Sequence, residues 1–309
     1  MSICVSLPGN TLRDALGDLP SDVELVEWDF SGPPPRQSID IVVPPYMGST
    51  GRLDQLAGMR TRLVQSQSIG YDGVADRLPA GTVYANAATV HETSTAELTM
   101  ALILAAQRGI PGFVRAAERG EWAPTREASV ADRSVLLLGY GGVGKAIELR
   151  LRPFEVSITR VATRARDDEV GGEQVHVHGM DELDALLPQA EIVVVGVPLL
   201  PATTGMIDDA FLSRMQDGAL LVNIARGRVA DTNAILDHAR RGRLRFALDV
   251  TDPEPLPQGH PLFTAPNVLI SPHIGGASSA MMPRMARLLR RQIDRMLAGE
   301  EPENVVLRT

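Results

Sequence analysis

A strand-like run that leads directly into a glycine-rich turn is the feature that constrains this chain most. The run Ser134–Leu138 is apolar after its first residue, and Gly139, Gly141 and Gly144 follow in the spacing G-x-G-x-x-G before a helical segment. The first glycine permits a tight turn, the second lets the backbone approach a pyrophosphate, and the third lets the helix pack on the strand. The helix N-terminus then faces the phosphates. The pattern predicts a dinucleotide site, although such glycine turns are also typical of purely structural turns.

The composition excludes several other classes of partner. The chain has 309 residues, and its 30 basic and 38 acidic residues give a formal net charge of −8, so no overall basic field attracts nucleic acid. Its most apolar run, Leu98–Ala106, is too short to span a membrane, and the first eight residues lack a signal-peptide pattern. A single cysteine, Cys4, rules out intrachain disulfides and fits a reducing compartment. We therefore predict a cytoplasmic protein that binds neither nucleic acid nor membrane.

Two series of alternating strand-like and helical runs indicate two α/β domains with parallel sheets. The first series extends from Ile3 to Ala87, and the second begins at the glycine motif. A final helix near Ala280–Leu297 is expected to return the chain to the first domain. We place a substrate domain at residues 1–95 with 285–309, and a dinucleotide-binding domain at residues 96–284.

A long helix is predicted between the two series, over about Ser94–Arg108. Thr93 and Ser94 are its N-cap candidates, because Glu97 stands three residues after Ser94, which is the capping-box spacing. The polar stretch Glu118–Arg133 is expected to connect this helix to the glycine motif.

Polar side chains follow three consecutive strand-like runs of the second series. They are Arg226 after Leu220–Ala225, Glu254 shortly after Phe246–Val250, and His273 after Val268–Pro272. Because ligands bind at the carboxyl ends of strands in open α/β sheets, we expect these side chains at one edge of the sheet. Taken singly, they also fit a solvated loop arginine, a surface glutamate and a turn histidine. Their joint placement behind the glycine motif favours a site.

This trio suits the transfer of a hydride to a 2-oxo acid. A histidine near neutral pH can donate the proton that the developing alkoxide needs, and a neighbouring carboxylate favours the charged imidazole and orients its ring. An arginine pairs with the substrate carboxylate and polarises the carbonyl through its planar fork. The hydride itself comes from a nicotinamide. The residues therefore predict His273 as the acid, Glu254 as its partner and Arg226 as the substrate ligand.

Together the motifs resemble the D-isomer-specific 2-hydroxyacid dehydrogenase family. The resemblance runs from about Gln65 to Val306 and rests on five segments, Gly139–Gly144, Val197–Thr203, Asn223–Asp231, Ala247–Pro255 and Asn267–Gly276. It implies an α/β fold in which a Rossmann-type doubly wound parallel sheet forms the nucleotide-binding domain and a smaller flavodoxin-like α/β domain binds the substrate. It also implies a homodimer formed through the nucleotide-binding domains, and the same roles for Arg226, Glu254 and His273.

The resemblance further assigns a substrate loop and a set of cofactor contacts. The substrate loop comprises Ser68, Ile69 and Gly70, and the backbone amides of Ile69 and Gly70 are expected to hold the substrate carboxylate. Without the family resemblance, this segment is typical of an ordinary strand-to-helix turn. Asp249 is expected to accept from the nicotinamide carboxamide, and Thr203 to lie near a cofactor phosphate or ribose. The expected cofactor contacts are Gly139, Gly141, Gly142, Val143, Gly144, Thr163, Arg164, Arg166, Val197, Pro198, Thr203, Ile224, Ala225, Asp249, His273 and Gly275. No metal ligand is predicted.

The segment after the strand Val156–Val161 bears on the choice of cofactor. An NAD-preferring fold places an acidic residue near this strand end to accept from the ribose 2′-OH, but the first five residues after Val161 contain no carboxylate. Three side chains offer contacts to a 2′-phosphate instead, namely Thr163, Arg164 and Arg166. We therefore expect NADP(H), with NAD(H) as the alternative if Asp167 or Asp168 reaches back to the ribose.

The leading functional prediction is an NAD(P)H-dependent reductase of a small 2-oxo acid. Glyoxylate or hydroxypyruvate is the default substrate, because the family commonly uses them. A phosphite-type dehydrogenase of the same family is one alternative, whereas formate is disfavoured because formate dehydrogenases of this family carry glutamine where this chain has Glu254. The other alternative is a non-catalytic dinucleotide-sensing interaction protein, since the family includes transcriptional corepressors.

Overall fold

The computed structural model describes residues 2–48 and 50–309. The strands within these residues are β1 (Ile3–Leu7), β2 (Val23–Glu27), β3 (Ile41–Val42), β4 (Leu63–Gln65), β5 (Val83–Ala85), β6 (Ser134–Leu138), β7 (Ser157–Val161), β8 (Arg166–Val170), β9 (Glu173–Val177), β10 (Ile192–Val195), β11 (Leu220–Asn223), β12 (Arg245–Leu248), β13 (Val268–Ile270) and β14 (Val305–Arg308). The α-helices are α1 (Asn10–Leu16), α2 (Glu92–Gln107), α3 (Ile110–Glu118), α4 (Gly142–Leu151), α5 (Leu183–Leu186), α6 (Asp209–Arg214), α7 (Thr232–Arg240) and α8 (Met281–Leu297). None of these helices is long and apolar enough to cross a membrane.

The contacts divide the chain into two compact units. One comprises Met1–His91 with Gly276–Thr309, and the other comprises Glu92–Gly275. The chain therefore passes between the units at residues 91/92 and 275/276, whereas the sequence placed these passages at 95/96 and 284/285.

The first unit is a six-stranded sheet with helices packed on it. Its strand order is β14-β5-β4-β3-β1-β2, in which β14 runs antiparallel to β5 and the other neighbours are parallel. All five residues of β1 are buried, as is typical of a parallel strand covered on both faces. Met285, Leu289 and Ile293 of α8 stand four residues apart, so they form one apolar stripe that is buried in the core with Val5.

The second unit is a doubly wound parallel sheet, as predicted. Its strand order is β13-β12-β11-β10-β6-β7, and every neighbouring pair is parallel. The four residues of β10, Ile192–Val195, are all buried, because a central strand is covered on both faces. The order reverses between β6 and β10, and ligands of such sheets bind at the carboxyl ends of the strands that flank this switch point.

Three features of the second unit differ from the sequence prediction. Helix α2 begins at Glu92, so Thr93 and Ser94 lie in its first turn, and their prediction as N-cap is wrong. Helix α3 occupies Ile110–Glu118, where no helix was predicted. The strands β8 and β9 form an antiparallel hairpin, so Arg166 opens a strand rather than ending a loop. Strand β8 lacks an apolar alternation, because it reads Arg-Asp-Asp-Glu-Val.

Candidate active site

The glycine turn between β6 and α4 has the geometry that a pyrophosphate needs. Gly139 has a φ of 103°, and a Cβ there would lie 2.5 Å from the carbonyl carbon of Gly196. A Cβ on Gly144 would lie 2.6 Å from the carbonyl oxygen of Gly139, so both positions require glycine. A Cβ on Gly141 would meet nothing within 4 Å. The turn therefore leaves open space at Gly141, and the first amides of α4 after it have no intrahelical acceptors and suit an anionic group.

A buried charged network anchors this turn from beneath. The Tyr140 hydroxyl donates to Oε2 of the fully buried Glu148 at 2.6 Å, and Arg160 and Arg152 donate to the same carboxylate at 2.6 and 2.8 Å. Burial tends to raise the pKa of Glu148, but the bonds from Arg160, Tyr140 and Arg152 outweigh it and lower that pKa. Burial, followed by the Glu148 carboxylate, raises the pKa of Tyr140. Sequence reasoning missed this network.

Arg166 lies beside the glycine turn. Its Nη2 donates to the carbonyl oxygen of Tyr140 at 2.7 Å, although Arg166 itself belongs to the hairpin strand β8. Thr163 and Arg164 are exposed in the connection between β7 and β8. Of the three residues predicted to contact a 2′-phosphate, the structure therefore brings the guanidinium of Arg166 to the glycine turn.

The two aspartates of the NAD(H) alternative already have partners in the protein. Lys145 of α4 donates to Oδ1 of Asp168 at 2.5 Å, and Arg166 donates to Oδ2 at 3.3 Å. The bond from Lys145 is the main reason that the pKa of Asp168 is lowered. Asp167 faces the other strand of the hairpin, where its Oδ1 lies 3.0 Å from Nδ1 of His176.

The loop after β10 is closed by Thr203. The Thr203 hydroxyl donates to the carbonyl of Pro198 at 2.6 Å and accepts from the amide of Leu200 at 2.8 Å. Val197 is buried and Pro198 is exposed. The structure thus gives Thr203 a role in shaping the loop, and its contact with a cofactor remains a prediction.

The predicted trio follows three strands that are neighbours in the sheet. Arg226, Glu254 and His273 come after β11, β12 and β13, which pair side by side. Nδ1 of His273 hydrogen-bonds to Oε1 of Glu254, and both side chains are about one-third exposed. A partly exposed imidazole whose Nδ1 is held by a carboxylate has Nε2 left for proton transfer. The structure thereby joins two of the three predicted catalytic side chains.

Asp249 holds the turn that carries His273. Its buried carboxylate accepts from the amides of Ile274 and Gly275, each at 2.9 Å, and from the Ser271 hydroxyl at 2.6 Å. Its carbonyl accepts from the amide of His273 at 2.8 Å. The resemblance predicts only a contact between Asp249 and the nicotinamide. The bonds from Asp249 to the turn depend on the register between β12 and β13, which the sequence does not reveal.

Arg226 is held where the loops after β11 and β12 meet. A Cβ on Gly227 would overlap the carbonyl oxygen of Thr251, so only glycine allows this approach. Nη1 of Arg226 donates to the carbonyl of Ala225 at 2.7 Å, and the Ala225 amide donates to Oδ1 of the buried Asn223 at 3.0 Å. These contacts fix the backbone from which the guanidinium extends. Ile224 in the same loop is half-buried.

Hydrogen bonds to the carbonyls of the predicted substrate loop set the direction of its backbone amides. In the first unit, the carbonyl of Ser68 accepts from the Ala87 amide at 2.9 Å, and the carbonyl of Ile69 accepts from Nδ2 of Asn86 at 2.9 Å. In a trans peptide the N–H points opposite to the preceding C=O. The amides of Ile69 and Gly70 therefore point away from these partners, which suits their predicted role in binding a carboxylate.

Comparison with known proteins agrees with this arrangement. Residues 100–275 match the family described as D-isomer specific 2-hydroxyacid dehydrogenase, NAD binding domain. The glyoxylate reductase/hydroxypyruvate reductase of Homo sapiens is 30% identical over 300 residues, which cover 91% of this chain and 90% of that protein. The glyoxylate reductase of Thermococcus onnurineus is 32% identical over 267 residues, which cover 82% of this chain and 78% of that protein.

A solved structure extends the likeness to the fold. The D-isomer specific 2-hydroxyacid dehydrogenase from Xanthobacter autotrophicus, in complex with NADPH and MES, superposes with a TM-score of 0.82 at 27% identity, covering 99% of this chain and 98% of that one. The family match covers more than half of the chain, and the human relative aligns along nearly all of it. The chain therefore belongs to the D-isomer-specific 2-hydroxyacid dehydrogenase family of NAD(P)-dependent oxidoreductases.

Proposed function

We propose that this protein reduces a small 2-oxo acid of the glyoxylate or hydroxypyruvate type to the D-2-hydroxy acid, with NADPH as the reductant. The observation that carries the proposal is the His273–Glu254 pair, which stands at the carboxyl edge of the same parallel sheet as the glycine turn. The relatives of this chain include proteins named glyoxylate reductase and hydroxypyruvate reductase, which supports this substrate class.

The residues around the glycine turn fit a dinucleotide with a 2′-phosphate. When bound, the nicotinamide of that cofactor supplies the hydride. The amides of Gly142, Val143 and Gly144 would hold its pyrophosphate, and the guanidinium of Arg166, with Thr163 and Arg164, would bind the 2′-phosphate. The NADPH complex of the Xanthobacter relative supports this choice. The remaining contacts that we assign to the cofactor are those of Gly139, Gly141, Val197, Pro198, Thr203, Ile224, Ala225, Asp249, His273 and Gly275.

The chain's own residues then bind the acid and move one proton. Arg226 pairs with the substrate carboxylate and polarises the adjacent carbonyl. For the first unit, we assign the amides of Ile69 and Gly70 to binding a substrate carboxylate. Protonated His273 donates from Nε2 to the carbonyl oxygen as negative charge develops there. Glu254 keeps the ring oriented through its hydrogen bond to Nδ1.

We also propose that the protein works as a homodimer in the cytoplasm. On α3 and the segment after it, Ile110, Val114 and Trp122 are 48%, 54% and 96% exposed. Exposed apolar side chains grouped in one segment favour a contact with a second copy of the chain, because burying them removes apolar surface from water. The single cysteine, Cys4, is a free thiol, which fits a reducing compartment.

A spectrophotometric assay tests the proposed activity. Glyoxylate, hydroxypyruvate and pyruvate are each offered with NADPH and with NADH, and phosphite is offered with NADP⁺ and with NAD⁺. We expect the fastest turnover with NADPH and glyoxylate or hydroxypyruvate. Turnover of phosphite alone would assign the chain to phosphite oxidation, and tight NADPH binding without any turnover would assign it to dinucleotide sensing.

A further inference from the structure

The hairpin β8–β9 and the turn after it gather three potential metal ligands. One nitrogen each of His176 and His178 and one carboxylate oxygen of Glu182 all lie within 4.8 Å of one another. The two histidines are two residues apart on extended chain, so their side chains point to the same side. Their ring centroids lie 4.8 Å apart in an edge-to-face arrangement. Glu182 returns to them through the short helical turn Met180–Glu182.

We propose that His176, His178 and Glu182 form a binding site for a late first-row divalent metal ion, with Zn²⁺ as the best match. Two imidazoles and one carboxylate form a donor set that Zn²⁺ uses in proteins, with water in the fourth position. Ligand atoms around a tetrahedral zinc lie roughly 3.4 Å apart, so an ion needs only short movements of three atoms that already lie within 4.8 Å of one another. The side chains of His176 and Glu182 are 55% and 42% exposed, which leaves them room to do so.

The imidazole of His176 already has the kind of carboxylate partner that metal-binding histidines use. Oδ1 of Asp167 lies 3.0 Å from Nδ1 of His176, in the position directly across the hairpin, and this pairing leaves Nε2 of His176 for the metal. Nδ1 of His178 lies 2.8 Å from Oε2 of Glu182. A bound ion would lie between these two atoms, in place of the hydrogen bond that now joins them.

The backbone around the cluster is fixed before any ion binds. The amide of His178 donates to the carbonyl of Arg160 at 2.8 Å, and the carbonyl of His178 accepts from the Ala162 amide at 3.0 Å, so His178 is tied to the end of β7. The other carboxylate oxygen of Glu182 accepts from the Gly179 amide at 3.0 Å. Only short side-chain movements are then required, which lowers the entropic cost of binding.

Calorimetric titration of Zn²⁺ into the chelator-treated, dialysed protein tests the site. We expect one ion per chain. His176→Ala and Glu182→Gln should each weaken binding at least tenfold, and Asp167→Asn about 10- to 100-fold, because it removes only the group that orients a ligand. His260→Ala, which alters a histidine outside the cluster, should bind like the unmodified protein. Absence of saturable binding, or unchanged affinity in both His176→Ala and Glu182→Gln, overturns the proposal.

A spectroscopic readout separates this site from the catalytic histidine. The Cu²⁺ complex should show electron paramagnetic resonance couplings to two imidazole nitrogens in the unmodified protein and in His273→Asn. His176→Ala should reduce them to one. Loss of a coupling in His273→Asn, with both retained in His176→Ala, would place the ion at the catalytic site and contradict the proposal. Neither measurement depends on turnover, so both stand apart from the proposed reductase activity.

Discussion

The buried carboxylate of Asp249 accepts a hydrogen bond from the amide of Gly275 at 2.9 Å. A Cβ on Gly275 would lie 3.0 Å from the same oxygen, so glycine best allows the carboxylate to lie this close to the backbone. The carboxylate also holds the Ile274 amide, and the Asp249 carbonyl holds that of His273. One residue after β12 therefore fixes the turn in which His273 adopts a φ of 53°.

Replacing Asp249 with asparagine should reduce turnover by roughly 10- to 100-fold. In Asp249→Asn one side-chain atom that faces a backbone N–H becomes an NH₂ group, so one of the two amides loses its acceptor. Hydrogen bonds to charged groups contribute about 1.5–3 kcal/mol, and each 1.36 kcal/mol corresponds to about tenfold in rate. Steady-state kcat measures the effect. The exposed Asp237 of α7 provides a matched control. An equal loss of kcat in Asp237→Asn would contradict the role of Asp249 in holding the turn.

Glu148→Gln should destabilise the protein by about 3–5 kcal/mol at neutral pH, because Arg152 and Arg160 are left without their buried counter-charge. Chemical denaturation measures this change. Glu173 also pairs with Arg152, at 3.1 Å, but it is exposed, so Glu173→Gln should cost less than about 1 kcal/mol. Comparable losses of unfolding free energy in Glu148→Gln and Glu173→Gln would contradict the claim that burial makes the Glu148 carboxylate more important for stability.

The same carboxylate makes stability depend on acid. Because the folded-state pKa of Glu148 is lowered, its ionised form stabilises the protein above its ordinary pKa of 4.5, and this contribution is lost as the pH falls through the folded value. The difference in unfolding free energy between the unmodified protein and Glu148→Gln should therefore shrink as the pH falls below 4.5. Parallel pH profiles would show that Glu148 is not the titrating group.

Arg166→Ala should raise the KM for NADPH by about 10- to 100-fold, because a charge-assisted contact to a 2′-phosphate is lost. The KM for NADH should change little, since NADH lacks that phosphate. Arg214 is a suitable control, because its side chain is 41% exposed and paired with an aspartate, as that of Arg166 is. If Arg166→Ala affects both cofactors equally, the residue supports the glycine turn and does not select NADPH.

Val114→Asp should dissociate the proposed homodimer. A charge in the centre of an apolar contact must be desolvated without a partner, which strongly disfavours association. Light scattering coupled to size exclusion measures the mass. Phe263 is 56% exposed, close to the 54% of Val114, so Phe263→Asp serves as the control. A monomeric unmodified protein, or a dimer that survives Val114→Asp, would contradict the interface.

The proposed catalytic trio and the glycine turn could be located from the sequence because each follows an apolar run that is typical of a buried strand. Parallel strands end at one edge, so Arg226, Glu254 and His273 could be assigned to that edge without coordinates. The structure confirms that the three strands are neighbours and that His273 pairs with Glu254.

The networks around these residues could not be predicted, because they depend on contacts between distant segments. Glu148 lies in a helix whose sequence gives no sign that this carboxylate is fully buried, and its partners Tyr140 and Arg160 come from a turn and a different strand. The hairpin was missed because its strands are mostly polar, and polar runs carry no strand periodicity. The histidine cluster was missed with it.

The most direct test of the central claim is a comparison of NADPH binding and turnover in His273→Asn. Asparagine cannot supply the proton, so kcat/KM for glyoxylate or hydroxypyruvate should fall by about 10²- to 10⁴-fold. The Kd for NADPH, followed by fluorescence, should stay within about threefold, because the glycine turn and Arg166 are untouched. Retention of kcat/KM within tenfold of the unmodified protein would contradict the assignment of His273 as the general acid.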